Sequence, residues 1–485
     1  MRKILLLFGA CLSLTLFTNA NAADLLEVYR DALCSDPTYQ QAVAQRLSNR
    51  EAVPISLSNL LPGLNAVAVP SISRSTSSGS GTDGGTATSR GYTFTLTLTQ
   101  TIFNFADFAN LAGAHATAKQ ADATLNYAAQ NLMTRVAAAY FQILQDEDVL
   151  RANIINKDSF AKQLDQIKQQ YQVGIKTITD VYTAEASYDQ AFSEYITAQT
   201  QLSDDRENLR AITGKLYPNI AKLSEKFPLI SPQPESIESW VNTAQRQNWS
   251  IRSARFAADA ARMNIKQQFG GHLPTVTAQA NYDINYVDNF GGTLPLNFPG
   301  SNQTHTKSAQ LNINIPLVQG GLVVAQTQQA KYNYQVAIQQ FELQLRSTIN
   351  TTRQSYLGVI AGISKIKADR QTVKSTISSL EGMQAGYSVG TEILVNVLNQ
   401  QQKVFLAEEQ YAIDRYAYVN SLLALKQATG TLCPEDLQAI NAWLIEGDVS
   451  NIAEYPLKEK QPVYERKTVA DARQSKKIPK THKMG

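Results

Sequence analysis

The chain contains few of the residues from which metal centres are built. Its 485 residues include three cysteines and four histidines. His115, His272, His305 and His482 have no cysteine or carboxylate partner at the spacing of metal ligands, so we expect neither a metal nor another cofactor. No nucleophile stands with a base in a catalytic pattern, and the glycine-rich "SGTDGG" lacks the Gly-Lys-Ser/Thr of a phosphate-binding loop. These absences argue against an enzyme.

Long apolar runs are also missing, except at the N terminus. Arg2 and Lys3 precede about 14 mainly apolar residues, and Ala20-Asn21-Ala22 supplies a cleavage site, so residues 1–22 are predicted to be a secretory signal peptide. No later run reaches the roughly 18 apolar residues of a membrane-spanning helix. The formal net charge of +3 is small for this length and gives no reason to expect nucleic acid as a partner.

The chain contains two similar halves. "LPGLNAVAV" from Leu61 is followed about 212 residues later by "LPTVTAQAN" from Leu273, and "YQVGIKTITDVY" from Tyr171 is followed by "YSVGTEILVNVL" from Tyr387. Repetition of this kind indicates one architecture built twice. We therefore predict a first repeat at 23–230, a second repeat at 231–447 and a polar, basic tail at 448–485 that lacks the apolar content to fold.

Each half is predicted to contain two β-strands, at about 65–77, 91–103, 275–287 and 307–318. In "GYTFTLTLTQTIF" from Gly91, aromatic and leucine side chains alternate with threonines, which gives the strand one apolar face and one polar face. The polar, glycine-rich segments between the strands of each pair, at 75–89 and 289–306, are predicted loops. Such two-faced strands are typical of a soluble sandwich, in which the apolar face meets a second sheet, or of an outer-membrane barrel with a wet interior.

Long proline-free stretches rich in alanine, glutamine and leucine follow both strand pairs. The first, from Ala106 to about Gln170, carries apolar residues three and four positions apart and is predicted to be one helix of about 95 Å. The chain then turns at "VGIKTITD" into a second helix at about 181–211, and the second half repeats this from Leu322 with a turn at "VGTEILVN". Helices of this length must pack along each other, as in a coiled coil.

Four strands are too few to close a barrel, since about eight are needed to surround even a side-chain-filled interior. Unpaired edge strands in lipid would leave backbone groups without hydrogen bonds. Several chains must therefore close the barrel together, three of them with twelve strands or two of them with eight. The predicted fold class is a mixed α+β membrane protein whose strands continue into a long helical coiled coil.

The motifs "LLEVYRDAL", "LTQTIF", "VGIKTITDV", "IPLVQGG" and "AGYSVGT" together resemble the TolC family of outer-membrane efflux and secretion ducts, over about residues 23–441. The resemblance implies a homotrimer with a twelve-stranded barrel in the outer membrane of a Gram-negative cell, continued by an α-helical tunnel across the periplasm. It implies a periplasmic adaptor protein and an inner-membrane pump of the RND, ABC or MFS type as partners. The implied function is that of a passive exit duct in efflux or type I secretion.

The resemblance places a gate at the periplasmic tip, where the two inter-helix turns meet. Thr179 and Asp180 match tip residues of the first turn, and Tyr387 matches the gate tyrosine, which implies a hydrogen bond from Tyr387 to Asp180. Glu392 stands where the family usually carries arginine, so we expect a reversed ion pair between Glu392 and Lys176. The alternative is that Lys176 and Glu392 are solvated turn residues.

Two further pairs of residues have places implied by the resemblance. Asn396 and Asn399 occupy positions at which the family often carries aspartates around the tunnel constriction, which predicts weak cation selectivity unless both asparagines lie off the axis. Cys34 and Cys433 are both expected near a collar around the tunnel. There they either form one disulfide or remain free thiols.

Pro62, Pro274, Gly320 and Gly321 are predicted at the bends between strands and helices, because the residue before proline avoids helical geometry and glycine tolerates sharp turns. These bends would join the barrel to the tunnel. The alternative to an exit duct is a non-conducting envelope scaffold or surface receptor built on the same barrel. The alternating threonines favour the duct, because a scaffold needs no wet lumen.

Overall fold

The computed structural model describes residues 22–77, 85–292 and 300–445. The predicted tail at 448–485, and all of the predicted signal peptide except Ala22, lie outside these residues. The helices in the described part are α1 (Leu25–Ser35), α2 (Pro37–Arg50), α3 (Ala52–Ser58), α4 (Phe105–Gln172), α5 (Ile178–Thr213), α6 (Ile237–Gln247), α7 (Trp249–Phe269), α8 (Leu322–Ser388), α9 (Leu394–Thr429) and α10 (Pro434–Asn441). The strands there are β1 (Gly63–Ser77), β2 (Gly85–Phe103), β3 (Lys222–Leu223), β4 (Thr275–Gly292), β5 (Gly300–Asn314) and β6 (Leu444–Ile445).

Both halves of the chain follow the same order of elements. Short helices lead into a pair of long strands, and the strands lead into a very long helix and a shorter returning helix. The first half does this with β1, β2, α4 and α5, and the second half does it with β4, β5, α8 and α9. In the part of the chain that the structure describes, no helix is both long and apolar enough to cross a membrane.

The four long strands form one antiparallel sheet in the order β1-β2-β4-β5. Phe94 of β2 lies between Ala68 of β1 and Ile284 of β4, whereas Thr97 lies between Asn65 and Asn281. Directly opposed residues in antiparallel strands share a face. The register therefore gives the sheet one face of rings and aliphatic side chains and one face of threonines and amides, as the alternation predicts.

The strand ends differ from the sequence-based expectation. β5 ends at Asn314 rather than near 318, because Pro316 has no backbone N–H to donate to the ladder. β5 also begins at Gly300, and β2 at Gly85, inside the segments predicted as loops. A polar cross-strand contact lies in this extension, where the hydroxyls of Ser73 and Ser89 are 2.8 Å apart. The predicted loops were thus too long, and their remaining residues, 78–84 and 293–299, lie outside the described residues.

The helices form two antiparallel hairpins. α4 has 68 residues and α8 has 67, which corresponds to about 100 Å each at the rise of an α-helix. The returning helices α5 and α9 have 36 residues each, and both end at a glycine with positive φ, Gly214 and Gly430. A left-handed glycine after the last turn satisfies terminal carbonyls and stops the helix. The two helices predicted in the first half are thus present with ends one to three residues longer, and α8 begins at Leu322 as predicted.

The main hydrophobic core lies about midway along α4. Leu132, Tyr140 and Leu144 of α4 are fully buried with Val28 of α1 and Leu423 of α9. The two-stranded sheet of β3 and β6 and the short helix α10 complete this core. Away from it, the long helices are held mainly by contacts between neighbouring helices along their length. The core therefore fixes the two hairpins to each other at mid-height and leaves their turns at one end.

Candidate functional site

The two hairpin turns have the same backbone design. Residues 173–177 connect α4 to α5, and residues 389–393 connect α8 to α9. Gly174 and Gly390 occupy equivalent positions with φ values of 80° and 82°. Their N–H groups donate to the carbonyls of Tyr171 and Tyr387, at 3.0 and 3.1 Å. A side chain would strain this left-handed backbone, which explains the "VG" that both turns share.

The first turn is organised by a capping box. The Thr177 hydroxyl accepts from the backbone N–H of Asp180 at 3.2 Å, and an Asp180 carboxylate oxygen accepts from the backbone N–H of Thr177 at 3.0 Å. The same oxygen also accepts from the Thr177 hydroxyl at 2.9 Å. These bonds hold the pKa of Asp180 below its usual range. Asp180 is thus engaged within its own helix, and Thr179 beside it is exposed.

Tyr387 packs its ring against the apolar cluster nearest to the turns, which includes Ile167, Val181 and Leu394. The Lys176 ammonium lies 4.6 Å from the centre of this ring, in a cation–π contact. Among the described residues, the buried Tyr387 hydroxyl has no hydrogen-bond partner. The tyrosine therefore links the two turns through the face of its ring.

The contacts predicted at the tip do not form within one chain. Asp180 bonds to Thr177 instead of Tyr387, and Lys176 lies on the tyrosine ring instead of pairing with Glu392. Glu392 accepts a hydrogen bond from the side-chain amide of Asn396 at 2.9 Å, one turn along α9. The expected Lys176–Glu392 ion pair and the expected Tyr387–Asp180 bond are thus absent from the described residues of the single chain. Contacts of these residues between chains stay a prediction.

Asn396 and Asn399 lie on the exposed side of the first turns of α9. Leu394, Val397 and Leu398 form the opposite, buried side. The two amides are therefore available to a space that the chain itself does not fill. Their position around a tunnel constriction stays a prediction.

The proline and glycine positions lie between strands and helices. Pro62 lies between α3 and β1, and Pro274 immediately precedes β4. Gly320 and Gly321 follow β5 and precede α8, with φ values of 57° and 83°. Two successive left-handed residues turn the chain sharply, which only glycine does without strain.

The cysteines do not form the disulfide considered from the sequence. Cys34, on α1, and Cys433, before α10, are both free thiols. Cys433 caps α10, and its thiol lies 3.4 Å from a carboxylate oxygen of Asp436. Burial, together with Glu435 and Asp436, raises the pKa of Cys433 to about 11. Burial and the neighbouring carboxylates thus keep this cysteine in its unreactive thiol form.

An acidic pair between α4 and α5, of which Asp146 is buried and Asp205 partly exposed, carried no recognisable sequence signal. Asp146 is only 6% exposed and accepts from Gln142 at 3.0 Å. Asp205 accepts from Gln201 at 2.8 Å and from Asn208 at 2.9 Å. Burial, then contact with Asp205, raises the pKa of Asp146 to about 7. One carboxylate oxygen of Asp146 has no hydrogen-bond donor among the described residues. It therefore needs a proton, because a second carboxylate lies beside it.

A charged network between α4 and α9 was also missed. Arg415 is almost buried, and one of its nitrogens lies 3.9 Å from a carboxylate oxygen of Asp148. The Tyr416 hydroxyl donates to the same oxygen at 2.7 Å, and Arg415 also donates to the carbonyl of Leu223 at 3.2 Å. These partners are far apart in the sequence, so only the register between helices reveals them. The network joins the two hairpins at mid-height.

Comparison with known proteins gives a consistent result. The model of the family described as "Outer membrane efflux protein" matches residues 28–215 and residues 240–431. The chain is similar to the outer membrane protein TolC of Vibrio cholerae, with 35% identity over 444 residues that cover 92% of this chain and 99% of the relative. It is also similar to the alkaline protease secretion protein AprF of Pseudomonas aeruginosa, with 26% identity over 461 residues that cover 92% of this chain and 93% of the relative.

Solved structures share the fold at low identity. The outer membrane protein VceC of Vibrio cholerae superposes with a TM-score of 0.69 at 18% sequence identity. The superposition covers 84% of this chain and 96% of that protein. At this identity the likeness concerns the fold alone.

Proposed function

The chain belongs to the outer membrane efflux protein family, and we propose that it works there as a passive exit duct that opens at its helical tip. One observation carries this proposal. A sheet with an apolar face and a polar face continues directly into helices of about 100 Å. A conduit needs both parts, one to pass through lipid and one to extend beyond it. A transported ion or solute would pass along the polar face of the sheet and then along the helices.

The sheet becomes a barrel only with further copies of the chain. β1 and β5 form its two edges, each paired on one side within the described residues. Backbone groups left unpaired in lipid cost several kcal/mol each, so in our proposal β5 of one chain pairs with β1 of the next. Three chains would bring twelve strands and six helical hairpins around one axis. The proposed assembly is therefore a homotrimer.

The two faces of the sheet indicate which side meets lipid. Leu64, Ile72, Leu311 and Ile313 lie on the apolar face and remain largely exposed in the single chain. Contact with lipid would cover them, and the threonine and amide face would line a wet lumen. A non-conducting scaffold or receptor, the alternative from the sequence, would leave that polar lining without a purpose. The duct is the better-supported function.

The tip is suited to docking by a partner. Val173 and Ile175 of the first turn, and Val389 and Ile393 of the second, are each 63–74% exposed. Apolar side chains gathered at the end of a coiled coil favour contact with another protein. We propose a periplasmic adaptor there, connected to an inner-membrane pump of the RND, ABC or MFS type. Membership of an efflux family and similarity to a protease secretion protein support a proposed cargo of both kinds, small molecules and proteins.

The gate of this chain is proposed to depend on Lys176 and Tyr387. Their cation–π contact joins the first turn to the second, where the sequence had suggested an ion pair. Such a contact contributes about 0.5–1 kcal/mol at an exposed site, so three copies would add only about 1.5–3 kcal/mol. A gate held this weakly opens when an adaptor binds one state slightly better than the other.

Deletion of the gene from its own host tests the proposed function. Cells without the chain should retain a fluorescent dye, and a wild-type copy should restore its release. A variant with Val173→Asp and Val389→Asp should still reach the outer membrane and fail to restore release, because the tip no longer docks its partner. Asp189→Asn, an exposed change on α5, is the matched control and should behave like wild type. Normal export by cells that lack the chain would contradict the proposal.

A further inference from the structure

The face of the sheet that we propose to meet lipid changes its chemistry along β5. Toward the helices this face carries Ala309, Leu311 and Ile313, and the last two are largely exposed. From Lys307 toward the hairpin, the same face carries Lys307 and His305, both of them exposed. A strand whose outward face changes from aliphatic to basic side chains leaves the apolar layer of its surroundings at that point.

Lys307, His305 and Tyr282 form a compact group on this face, which we call the basic cluster. Lys307 is directly opposed to Tyr282, and its ammonium lies 5.7 Å from the centre of the tyrosine ring. The His305 ring stacks on the same tyrosine with ring centres 6.2 Å apart, and its Nδ1 lies 3.0 Å from the Tyr282 hydroxyl. With that hydroxyl as the donor, the hydrogen of the neutral imidazole lies on Nε2. The cluster therefore offers an ammonium and a ring N–H to one ligand.

The basic cluster has no acidic partner in the described part of the sheet. The acidic residues of the four described long strands are Asp283 and Asp288. Asp283 is opposed to threonines on both neighbouring strands, so it lies on the polar face. Asp288 lies on the same face as the cluster, but it forms an ion pair with Arg90 at 2.9 Å. The positive charge of the cluster is thus left for a partner outside the described chain.

The height of the cluster agrees with the headgroup level of a membrane. Lys307 lies seven residues before the end of β5, which is about 24 Å along the strand. At the strand tilt of about 40° found in membrane barrels, this length gives about 18 Å of height, and the apolar band is about 25 Å tall. A lysine side chain extends its ammonium several ångström further toward water. Counted from the helix end of β5, the ammonium therefore reaches the outer boundary of the apolar band.

We propose that the basic cluster binds a phosphate group in the headgroup of an anionic lipid of the outer leaflet. The Lys307 ammonium and the His305 ring would each donate to a phosphate oxygen, and such charge-assisted hydrogen bonds are the strong ones. Inorganic phosphate would meet the same donors. A lipid would in addition cover the exposed Leu311 and Ile313 with its acyl chains, which favours the lipid as the occupant.

This inference rests on the proposed function in one respect, the outward orientation of the apolar face. In the proposed assembly β5 is also the edge strand that pairs with the next chain, so each bound lipid would lie beside a junction between chains. A tyrosine in the cluster agrees with this level, because tyrosine is enriched where lipid headgroups meet water.

Titration of the full-length protein in detergent micelles with diphosphoryl lipid A tests the inference, with phosphatidylcholine as the neutral reference lipid. Wild type should bind lipid A more tightly than phosphatidylcholine. Lys307→Gln combined with His305→Gln should weaken lipid A binding by at least about tenfold, because two donors to a charged group are lost. Lys331→Gln combined with Lys374→Gln removes positive charge from exposed positions on α8 and should leave the affinity unchanged.

Lys307→Arg guards against a variant that fails only because it folds poorly. It keeps a cation that pairs with phosphate, so it should bind lipid A about as tightly as wild type. Equal affinity of wild type for the two lipids, or equal loss of affinity in both double variants, would overturn the proposal. Inorganic phosphate that binds wild type as tightly as lipid A would overturn the lipid as the occupant.

Single-channel recording separates this inference from the proposed function. Lys307→Gln should leave the reversal potential unchanged, and a shift would place Lys307 in the lumen and overturn the orientation on which the inference rests. A wild type that conducts without preferring lipid A would overturn only the lipid site. A wild type that prefers lipid A and carries no current would support the lipid site and contradict the duct.

Discussion

The substitution Asp146→Asn should change the free energy of unfolding relative to wild type, and this difference should favour the variant more at pH 8 than at pH 5. Asp146 and Asp205 face each other between α4 and α5, and burial beside a second carboxylate raises the pKa of Asp146 from 3.8 to about 7. At a pH between these two pKa values, Asp146 keeps a proton in the folded chain that it has lost in the unfolded chain. Stability from this group is therefore complete below about pH 4 and is lost as the pH rises through about 7.

The expected size follows from that window. Each pH unit between the unfolded and folded pKa values is worth about 1.4 kcal/mol per chain. Between pH 5 and the folded pKa of about 7, wild type should lose up to about 3 kcal/mol, a loss that asparagine avoids because it stays neutral. Asparagine also retains an acceptor for Gln142, so the helix contact survives.

Thermal unfolding followed by circular dichroism of the helices measures the effect. The difference in unfolding temperature between Asp146→Asn and wild type should be larger at pH 8 than at pH 5. Asp189→Asn makes the same chemical change at an exposed position of α5, and its difference from wild type should stay constant with pH. A constant difference for Asp146→Asn as well would refute the shared-proton interpretation of the pair.

Three other changes test separate parts of the structure. Gly91→Ala would place a methyl group 2.1 Å from the Tyr286 carbonyl oxygen and should abolish folded protein in the outer membrane. Gly63→Ala is the control, because its methyl group meets open space and should leave the yield of folded protein unchanged. Equal yields of the two variants would disprove the β2–β4 register. Asn396→Asp should raise cation preference in a reversal-potential measurement, and an unchanged preference would remove Asn396 from the conduction path. Tyr140→Phe removes a buried hydroxyl that donates to a carbonyl at 2.7 Å, and should lower stability by about 1–3 kcal/mol in thermal unfolding; no change would show that this bond contributes nothing.

The elements of this fold could be predicted because their signals are local. Proline-free stretches with helical spacing gave α4 and α8 nearly to their ends, and the alternation after Gly91 gave both faces of the sheet. Gly320 and Gly321 were identified as a bend because their backbone requirement is local too. The starts of the strands β2 and β5 were misjudged, because pairing with neighbouring strands extends both of them into polar residues of weak β propensity.

The contacts of the site were harder to predict because they depend on register between distant helices. Lys176 and Tyr387 are about 210 residues apart, and a shift of one helical turn would replace this contact by another. The same holds for the pair of Asp146 and Asp205. The partner of Glu392 was an exception, because Asn396 follows only four residues later, in the first turn of α9, and closeness in the sequence alone indicates their bond.

Single-channel recording of the purified protein in a planar bilayer tests the proposed duct most directly. Wild type should give a steady, small conductance if, as we propose, the contact of Lys176 with Tyr387 narrows the tip. Lys176→Ala should increase that conductance, since it removes the contact and leaves the sheet untouched. Absence of current from wild type, and from a variant with Lys176→Ala and Glu392→Ala, would contradict a conducting duct and favour a scaffold.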